Sequence, residues 1–282
     1  MFKVITFNAA ILDVCIFGHS FYRPVDHIEA RLQCLAASLL QTDADIIFLQ
    51  ELFHRDKQDS LCGMLKKSYP FVKGLAPSGW KFRLGNELLT LSRFPLLKGN
   101  LHRFAHAPAE ELRHTSKGFY HLQAELPGLG TINLINFHMS AGGKHQHPES
   151  SAMETLREKQ IRQLLDYVEK LDKTLLAGDL NAGPEASNRN YQQLLSAGYF
   201  DLFTDYGAKG ITWDPENPLV LRGSEAHLPA QRIDHFFADE TLNDCTQVAG
   251  AEIIFTEHCV GISGGHIPLS DHYALSLAMD AK

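Results

Sequence analysis

The stretch TLLAGDLNAGPE, residues 174–185, contains an apolar run that ends in an acid, an amide and a turn. Successive side chains of a strand point to opposite faces, so Asp179 and Asn181 share a face, beyond the apolar Leu175 and Leu176. A Gly-Pro pair then breaks the strand. The segment predicts a buried strand that presents an acceptor and an amide at its end, a placement that suits a functional site better than a core.

Similar apolar runs recur at strand length along the chain, and helical patterns separate several of them. The predicted strands are Val4 to Phe7, Ile46 to Leu49, Leu88 to Leu91, Ile132 to Phe137, Leu175 to Ala177, Ile233 to Phe237 and Tyr273 to Leu277. The predicted helices are Asp26 to Gln41 with Asp26 as N-cap, Ser151 to Leu171 with a capping box from Ser151 to Glu154, and Tyr191 to Ala197. This alternation predicts an α/β fold.

Length and composition predict one domain that spans residues 1–282. The chain has 282 residues, 44% of them hydrophobic, which is enough to bury a large core, and no shift in composition argues for a second domain. The formal net charge of -7 weakly opposes binding to a nucleic-acid backbone, which usually requires a basic face. The five cysteines have no CxxC or zinc-knuckle spacing, so we interpret them as reduced thiols.

The amino terminus begins with the strand-like MFKVITFN and lacks the basic and apolar regions of a signal peptide. No apolar segment of about 18 residues occurs, so no transmembrane segment is predicted. We therefore expect a soluble, cytoplasmic protein, and a secretion signal of another type stays open as an alternative. No protein partner can be inferred from the sequence.

Polar residues able to bind a metal or a phosphate stand at the end of strand after strand. Besides Asp179 they are Asn8, Glu51, His138, Asp234, Asp271 and His272. Each of them taken alone is more often a turn residue, a helix cap, a satisfied core histidine or a structural ion-pair partner. Their shared position predicts that they meet in one carboxylate-rich pocket at a common sheet edge.

Six motifs resemble, in the right order, those of the endonuclease/exonuclease/phosphatase superfamily. They are TFNAA (6–10), ADIIFLQEL (44–52), NFHMS (136–140), AGDLNAGPE (177–185), RIDHFF (232–237) and LSDHYAL (269–275). The resemblance implies a four-layer sandwich in which two mixed β-sheets pack face to face with helices on the outside. It also implies hydrolysis of phosphoester bonds with Mg²⁺, with Mn²⁺ as an alternative metal.

The resemblance implies a metal site built from oxygen donors. Glu51 would bind the metal directly, Asn8 would lie beside it, and Asp271 would complete the acidic wall. Hard oxygen ligands suit Mg²⁺, which retains several waters and takes only one or two carboxylates from protein.

By the same resemblance, the remaining site residues have catalytic roles. His138 and Asn181 would hydrogen-bond the phosphate as charge grows on its oxygens, and Asp179 would orient the attacking water. His272, oriented by Asp234, would be the general base. In-line attack at phosphorus requires such a water, base and set of donors.

Within the superfamily, the flanking segments are most similar to neutral sphingomyelinase-like members. Ala10 stands where DNA-repair nucleases carry an Asp, and TWDPENPL (212–219) resembles a loop of the bacterial-type relatives. The branch implies a phosphodiester substrate, a choline lipid at a membrane surface, cleaved by a sphingomyelinase or phospholipase C-like activity. Lys117 in SKGF is either a phosphate ligand or a solvated strand-edge lysine.

Two other functions remain open at this point. A nuclease or nucleotide-directed phosphodiesterase would bind nucleic acid through a basic groove with stacking aromatics. A non-catalytic binding module would retain the fold and lose turnover, although all the central polar residues are present.

Overall fold

The computed structural model describes residues 1–12, 14–16, 19–22, 27–76, 86–109, 111, 117–142, 150–221, 227–257, 259–260 and 266–282. The first sheet contains β1 (Phe2–Ile11), β4 (Ile46–Leu52), β5 (Phe71–Lys73), β6 (Leu89–Ser92), β13 (Thr246–Ile254) and β16 (Ala274–Ala281), in the order β13-β16-β1-β4-β6-β5. The second contains β7 (Leu96–Arg103), β8 (Gly118–Leu126), β9 (Gly130–His138), β10 (Thr174–Asp179), β11 (Phe200–Asp201) and β12 (Asp234–Ala238), in the order β11-β12-β10-β9-β8-β7.

Two short ribbons and several helices complete the described part of the chain. The ribbons pair β2 (Val14–Ile16) with β3 (His19–Tyr22) and β14 (Cys259–Val260) with β15 (His266–Ile267). The helices are α1 (Ile28–Gln41), α2 (Arg55–Leu65), α3 (Ser151–Val168), α4 (Asn188–Ser196), α5 (Leu202–Asp205) and α6 (Glu240–Cys245).

Three apolar clusters stack the elements into layers. Between the sheets, side chains such as Phe48 of β4 and Leu134 of β9 form one buried cluster. On the outer face of the first sheet, Leu35 of α1 packs with the strand residues, and Ile161 of α3 does the same on the second sheet. Both faces of the central strands are therefore covered, which explains their continuous apolar runs. The predicted four-layer sandwich of two mixed sheets is confirmed.

The register of the strands brings the polar residues to one edge. In the second sheet, β10 pairs parallel with β9 and antiparallel with β12, so that Asp179 stands between His138 and Asp234. In the first sheet, β1 runs parallel to β4 with Asn8 opposite Gln50, next to Glu51. Parallel strands end at the same edge, so these residues lie at one end of the sandwich, as the sequence predicts.

All seven predicted strands are present, but further strands such as β8 and β13 were not predicted, and helix α3 ends at Val168 instead of Leu171. The starts of the helices also differ from the prediction. The capping box predicted from Ser151 is wrong by one residue, because Ser150 has extended backbone (φ -69, ψ 148) and its side chain accepts the Met153 N–H. Helix α1 begins at Ile28 after His27, and the predicted N-cap Asp26 lies outside the described residues. Helix α4 starts at Asn188, three residues before the predicted start.

Candidate active site

Asp179 lies at the centre of the site, where the end of β10 approaches the opposite sheet. Its Oδ1 accepts the backbone N–H of Asn181 over 2.8 Å, and its Oδ2 accepts Nδ2 of Asn8 over 3.0 Å. The side-chain oxygen of Asn8 in turn accepts the backbone N–H of Ala10 over 3.1 Å. Because Asn8 belongs to the first sheet, this buried bond joins the two sheets at the predicted edge.

A histidine–carboxylate pair stands on one side of Asp179. Nδ1 of His272 lies 2.9 Å from Oδ2 of Asp234, and its Nε2 lies 3.9 Å from Oδ2 of Asp179. Burial would lower the pKa of His272, but Asp234, Asp179 and Asp271 raise it well above its usual range. A carboxylate on Nδ1 fixes the ring with Nε2 facing the centre of the site, which is the orientation a general base requires.

The loop that begins at Thr212 supports this pair. The Thr212 hydroxyl oxygen lies 3.0 Å from the backbone nitrogen of Ile233 and 3.2 Å from that of Asp234. The Thr212 carbonyl accepts the backbone N–H of Tyr273 over 2.6 Å, and Trp213 forms a β-bridge with His272. The loop thus connects both members of the pair, and only the resemblance of TWDPENPL pointed to it in the sequence.

A second histidine–carboxylate pair stands on the other side of Asp179. Nδ1 of His138 lies 3.0 Å from Oε1 of Glu87, and Nε2 lies 2.9 Å from Nζ of Lys117 and 3.4 Å from Oδ2 of Asp179. The Glu87 side chain is 0% exposed and that of Lys117 is 8% exposed. Lys117 is therefore not a solvated strand-edge residue.

The surroundings of this second pair favour a neutral histidine, whereas those of the first pair favour a charged one. Burial and Lys117 lower the pKa of His138 to about 4. Burial raises the pKa of Glu87 to about 7, against the attraction of Lys117. Both shifts disfavour a charged histidine beside a charged glutamate, because burial penalises the charged form of each group, and Lys117 adds to this effect at His138.

Oxygen atoms of Glu51, Asp271 and Asn8 form a donor set that fits a divalent cation. Glu51 has a positive φ of 55°, its side chain is 24% exposed, and Oε1 lies 3.7 Å from Nε2 of His138. Burial raises the pKa of Glu51 against the attraction of His138 and Lys117, and Asp271 adds to the rise, so a cation placed here would favour the ionised acid. The Ser270 hydroxyl lies 2.7 Å from the Asn8 carbonyl and 3.1 Å from Oδ1 of Asp271, which brings that acid to the same corner.

Asp179, Asp234 and His272 form a second group whose ligand atoms lie within 4.8 Å of one another. This set includes a nitrogen, and Asp234 is already paired with His272 over 2.9 Å. Mg²⁺ prefers oxygen ligands, so the donor set of Glu51, Asp271 and Asn8 suits it better.

A continuous chain of contacts joins all nine predicted site residues: Asn8, Glu51, Lys117, His138, Asp179, Asn181, Asp234, Asp271 and His272. Lys117 and Asn181 also share an acceptor, since their side-chain nitrogens lie 3.3 Å and 3.1 Å from the carbonyl oxygen of Met139. Glu87 is the residue that sequence reasoning missed. It lies two residues before Leu89, where the apolar strand β6 begins, which is the same signal that identified Asp271 and His272 before β16.

Comparison with known proteins shows which family the chain resembles. Residues 6–272 match the model described as Endonuclease/Exonuclease/phosphatase family. A curated relative, sphingomyelinase C from Bacillus cereus, is 22% identical over 264 residues, covering 84% of this chain and 75% of that protein.

Solved structures show the same fold. The beta toxin of Staphylococcus aureus has a TM-score of 0.78 at 19% identity, covering 99% of both chains. A mutant of that toxin with bound magnesium ions has a TM-score of 0.76 at 18% identity and covers 98% of both. TDP2 of D. rerio, solved with a single-strand DNA product, has a TM-score of 0.68 at 18% identity, covering 99% of this chain and 98% of that one. Among the helices of the described residues, none is long and apolar enough to span a membrane.

Proposed function

The chain belongs to the endonuclease/exonuclease/phosphatase family of phosphodiester hydrolases, and on that premise we propose a Mg²⁺-dependent enzyme that releases the phosphorylated head group of a choline lipid. The observation that carries the chemistry is the buried Asp234–His272 pair, whose Nε2 faces Asp179 at 3.9 Å. A water held between this nitrogen and Oδ2 of Asp179 meets both a base and an orienting carboxylate.

His272 takes the proton of the attacking water in this proposal. Asp234 accepts from Nδ1–H and thereby leaves the lone pair of Nε2 directed at the water. As the proton arrives, the imidazolium is stabilised by the same carboxylates that raise the pKa of His272, first among them Asp234. Asp179 keeps the water in line by accepting its second proton in a hydrogen bond.

The phosphate is received on the opposite side of Asp179. Asn181 and Lys117 stand beside the Met139 carbonyl, and each retains a further N–H that can reach a phosphate oxygen. His138 lies between Lys117 and Asp179 and forms the wall behind the phosphate. Donors placed in this way stabilise charge that grows on the phosphate oxygens during attack.

Glu51, Asp271 and Asn8 would hold the metal. When bound, Mg²⁺ supplies positive charge that neutralises the phosphate and the acidic wall. The raised pKa of Glu51, caused by burial and opposed by His138, is the feature of the protein that favours a cation at this point. Mn²⁺ is the substitute we expect to support activity with the same ligands.

The choice of a choline lipid is supported by three observations. The formal net charge is -7, Ala10 offers no carboxylate to a second metal, and the curated relative is named sphingomyelinase C. Such a substrate would be met at a membrane surface. A nuclease is the second candidate, and the likeness to TDP2 bound to a DNA product is the observation that favours it.

A substrate panel with purified protein tests the proposal. We expect Mg²⁺-dependent release of a phosphorylated head group from sphingomyelin or lysophosphatidylcholine in mixed micelles, with little cleavage of duplex DNA, single-stranded DNA or RNA. Glu51→Gln should abolish most of this activity because it removes the charged metal ligand at nearly constant shape. Glu125→Gln, at an exposed strand residue that accepts from Thr131, is the matched control and should retain full activity.

Three outcomes would contradict the proposal at different levels. Unchanged hydrolysis in excess chelator would exclude the metal mechanism. DNA or RNA cleavage that weakens steeply with salt, without action on choline lipids, would establish the nuclease alternative. Inertness towards every substrate, with the metal bound, would favour a non-catalytic binding module of the same fold.

A further inference from the structure

Arg31 of α1 is a buried arginine that binds the backbone of two other segments. The residue is 0% exposed, and a guanidinium keeps its charge in a protein, so its N–H groups require acceptors. Nη2 donates to the carbonyl oxygen of Ala9 over 2.5 Å, and Nη1 donates to that of Ala10 over 3.1 Å. Nε donates to the carbonyl oxygen of Leu269 over 2.9 Å. One guanidinium therefore joins the end of β1 to the segment that leads into β16.

These carbonyls adjoin two of the three proposed metal ligands. Asn8 directly precedes Ala9, and Asp271 lies two residues after Leu269. We propose that Arg31 is a positioning residue that holds both segments, so that Asn8 and Asp271 face one cation together with the third ligand. The assignment of a cation to this corner rests on the proposed function, whereas the connection that Arg31 makes between the two segments does not.

The backbone at Ala10 shows why the end of β1 needs this support. Ala10 has a positive φ of 48°, a conformation that residues with a Cβ rarely adopt. The pairing of β1 with β4 shifts register between Asn8 and Ile11, so the regular ladder is interrupted at this point. Arg31 binds the carbonyl on each side of the strained residue, and the Asn8 side-chain oxygen accepts the Ala10 N–H over 3.1 Å. The bend that orients Asn8 is therefore held by side chains.

Ser270 extends the connection to the acid. Its hydroxyl oxygen lies 2.7 Å from the Asn8 carbonyl oxygen and 3.1 Å from Oδ1 of Asp271. Arg31 binds the carbonyl of Leu269, which belongs to the peptide bond that leads into Ser270. Loss of the guanidinium should therefore loosen Asn8 and Asp271 together.

The second sheet provides a matched arginine for comparison. Arg157 of α3 is also 0% exposed, and its Nη1 donates to the carbonyl oxygens of Ser140 over 3.1 Å and Ala141 over 3.3 Å. These carbonyls follow His138 in the sequence, and neither is next to a proposed metal ligand. Replacing either arginine removes a buried guanidinium that binds backbone carbonyls, but only the loss of Arg31 should affect the metal ligands.

Binding of Mn²⁺ without substrate tests the proposal independently of turnover. Arg31→Lys keeps the positive charge, but it places one nitrogen where the guanidinium reaches three carbonyls. We expect its Kd for Mn²⁺, measured by electron paramagnetic resonance of the free ion, to rise at least about tenfold, whereas Arg157→Lys should stay within about twofold of wild type. Circular dichroism checks that each variant is folded during the titration. An unchanged Kd in folded Arg31→Lys would overturn the proposal.

A second substitution keeps the test valid if Arg31→Lys unfolds. Glycine adopts a positive φ without strain, so Ala10→Gly should stabilise the bend without the guanidinium. In the wild-type background it should leave the Kd for Mn²⁺ nearly unchanged, because the bend is already formed. Combined with Arg31→Lys it should restore folding and recover part of the lost affinity, so that the two effects are not additive. A folded double variant that binds Mn²⁺ no better than folded Arg31→Lys, or that loses no affinity relative to Ala10→Gly alone, would contradict the role of Arg31.

Amide hydrogen exchange measures the connection in the absence of metal. The backbone N–H groups of Ala10 and His272 each bind a side-chain oxygen of their own segment, so they report on the two segments separately. By nuclear magnetic resonance, both should exchange at least about tenfold faster in Arg31→Lys than in wild type, and neither should change in Arg157→Lys. Faster exchange at both amides, in a wild type that binds no Mn²⁺, would support the connection and refute the metal of the proposed function. Unchanged exchange in folded Arg31→Lys would overturn the connection itself, whether or not the wild type binds Mn²⁺.

Discussion

The site contains two histidine–carboxylate pairs, one on each side of Asp179, that are charged in opposite ways. In each pair one residue comes from each sheet and the carboxylate faces Nδ1, at 2.9 Å for Asp234–His272 and 3.0 Å for Glu87–His138. The first contact is a hydrogen bond, whereas within the described residues Nδ1 of His138 and both Glu87 oxygens have no hydrogen-bond partner. Nε2 of both rings faces Asp179. The pairs differ in the other neighbours of the histidine. Lys117 lies at Nε2 of His138, whereas carboxylates surround His272.

The difference shows how one arrangement serves two tasks. Burial lowers the pKa of His138 to about 4, with Lys117 adding to the effect, so this ring stays neutral and accepts a hydrogen bond. Burial acts on His272 in the same direction, but Asp234, Asp179 and Asp271 overcome it and raise its pKa. His272 can therefore take up a proton, and the identity of the neighbours rather than that of the pair decides the role.

The most severe way to disturb one pair without removing its histidine is Asp234→Asn. The amide can still contact Nδ1, but it provides no negative charge and can offer an N–H that favours the wrong tautomer. We expect kcat to fall about tenfold to a hundredfold, less than removal of the base itself. The measurement is steady-state hydrolysis of the best substrate, and a kcat within twofold of wild type would show that His272 needs no orienting acid.

A milder test acts on the same pair through the backbone. Thr212→Val keeps the side-chain shape and removes the oxygen that lies close to the backbone nitrogens of Ile233 and Asp234. Two buried N–H groups lose their acceptor, so we expect a loss of about 1–3 kcal/mol in the free energy of unfolding and a kcat lowered a few-fold. Urea unfolding and kinetics should move together, and an unchanged midpoint would mean that the loop does not support Asp234.

The smallest expected effect on turnover comes from Asp201, which lies beside the buried His235. Asp201 lies 3.6 Å from Nδ1 of His235 and 2.7 Å from Nη2 of Arg232. Burial would raise the pKa of Asp201, but His235 and Arg232 lower it far below its usual range. Asp201→Asn breaks a buried ion pair, so we expect about 3 kcal/mol of lost stability and kcat within twofold of wild type below the unfolding transition.

The pH dependence of that loss follows from the sign of the shift. A carboxyl whose folded pKa is lowered contributes full stability above its unfolded value of about 3.9 and loses it as pH falls towards the folded pKa. The difference in unfolding free energy between wild type and Asp201→Asn should be constant above about pH 5 and shrink below about pH 4. A difference that grows on acidification would contradict the ion pair.

Seven of the strands and most of the site residues could be predicted from the sequence for one physical reason. A buried strand is apolar throughout, so a polar residue at its end, such as Asp179 or His138, stands out from the run and shares an edge with others like it. Glu87 obeys the same rule, but its position beside His138 depends on how the two sheets pack face to face, and no local pattern contains that packing. The burial of Lys117 likewise depends on Glu111 and Met139, which tertiary contacts bring together.

His272 is the base in the proposed reaction, and His138 lies on the side that receives the phosphate. The most direct measurement compares kcat and KM for His272→Asn and His138→Asn on the same diester with saturating Mg²⁺. We predict that His272→Asn lowers kcat at least about a hundredfold with little change in KM, and that His138→Asn acts mainly by raising KM. Near-normal turnover in His272→Asn would contradict the account and reassign the base, with Asp179 as the first candidate.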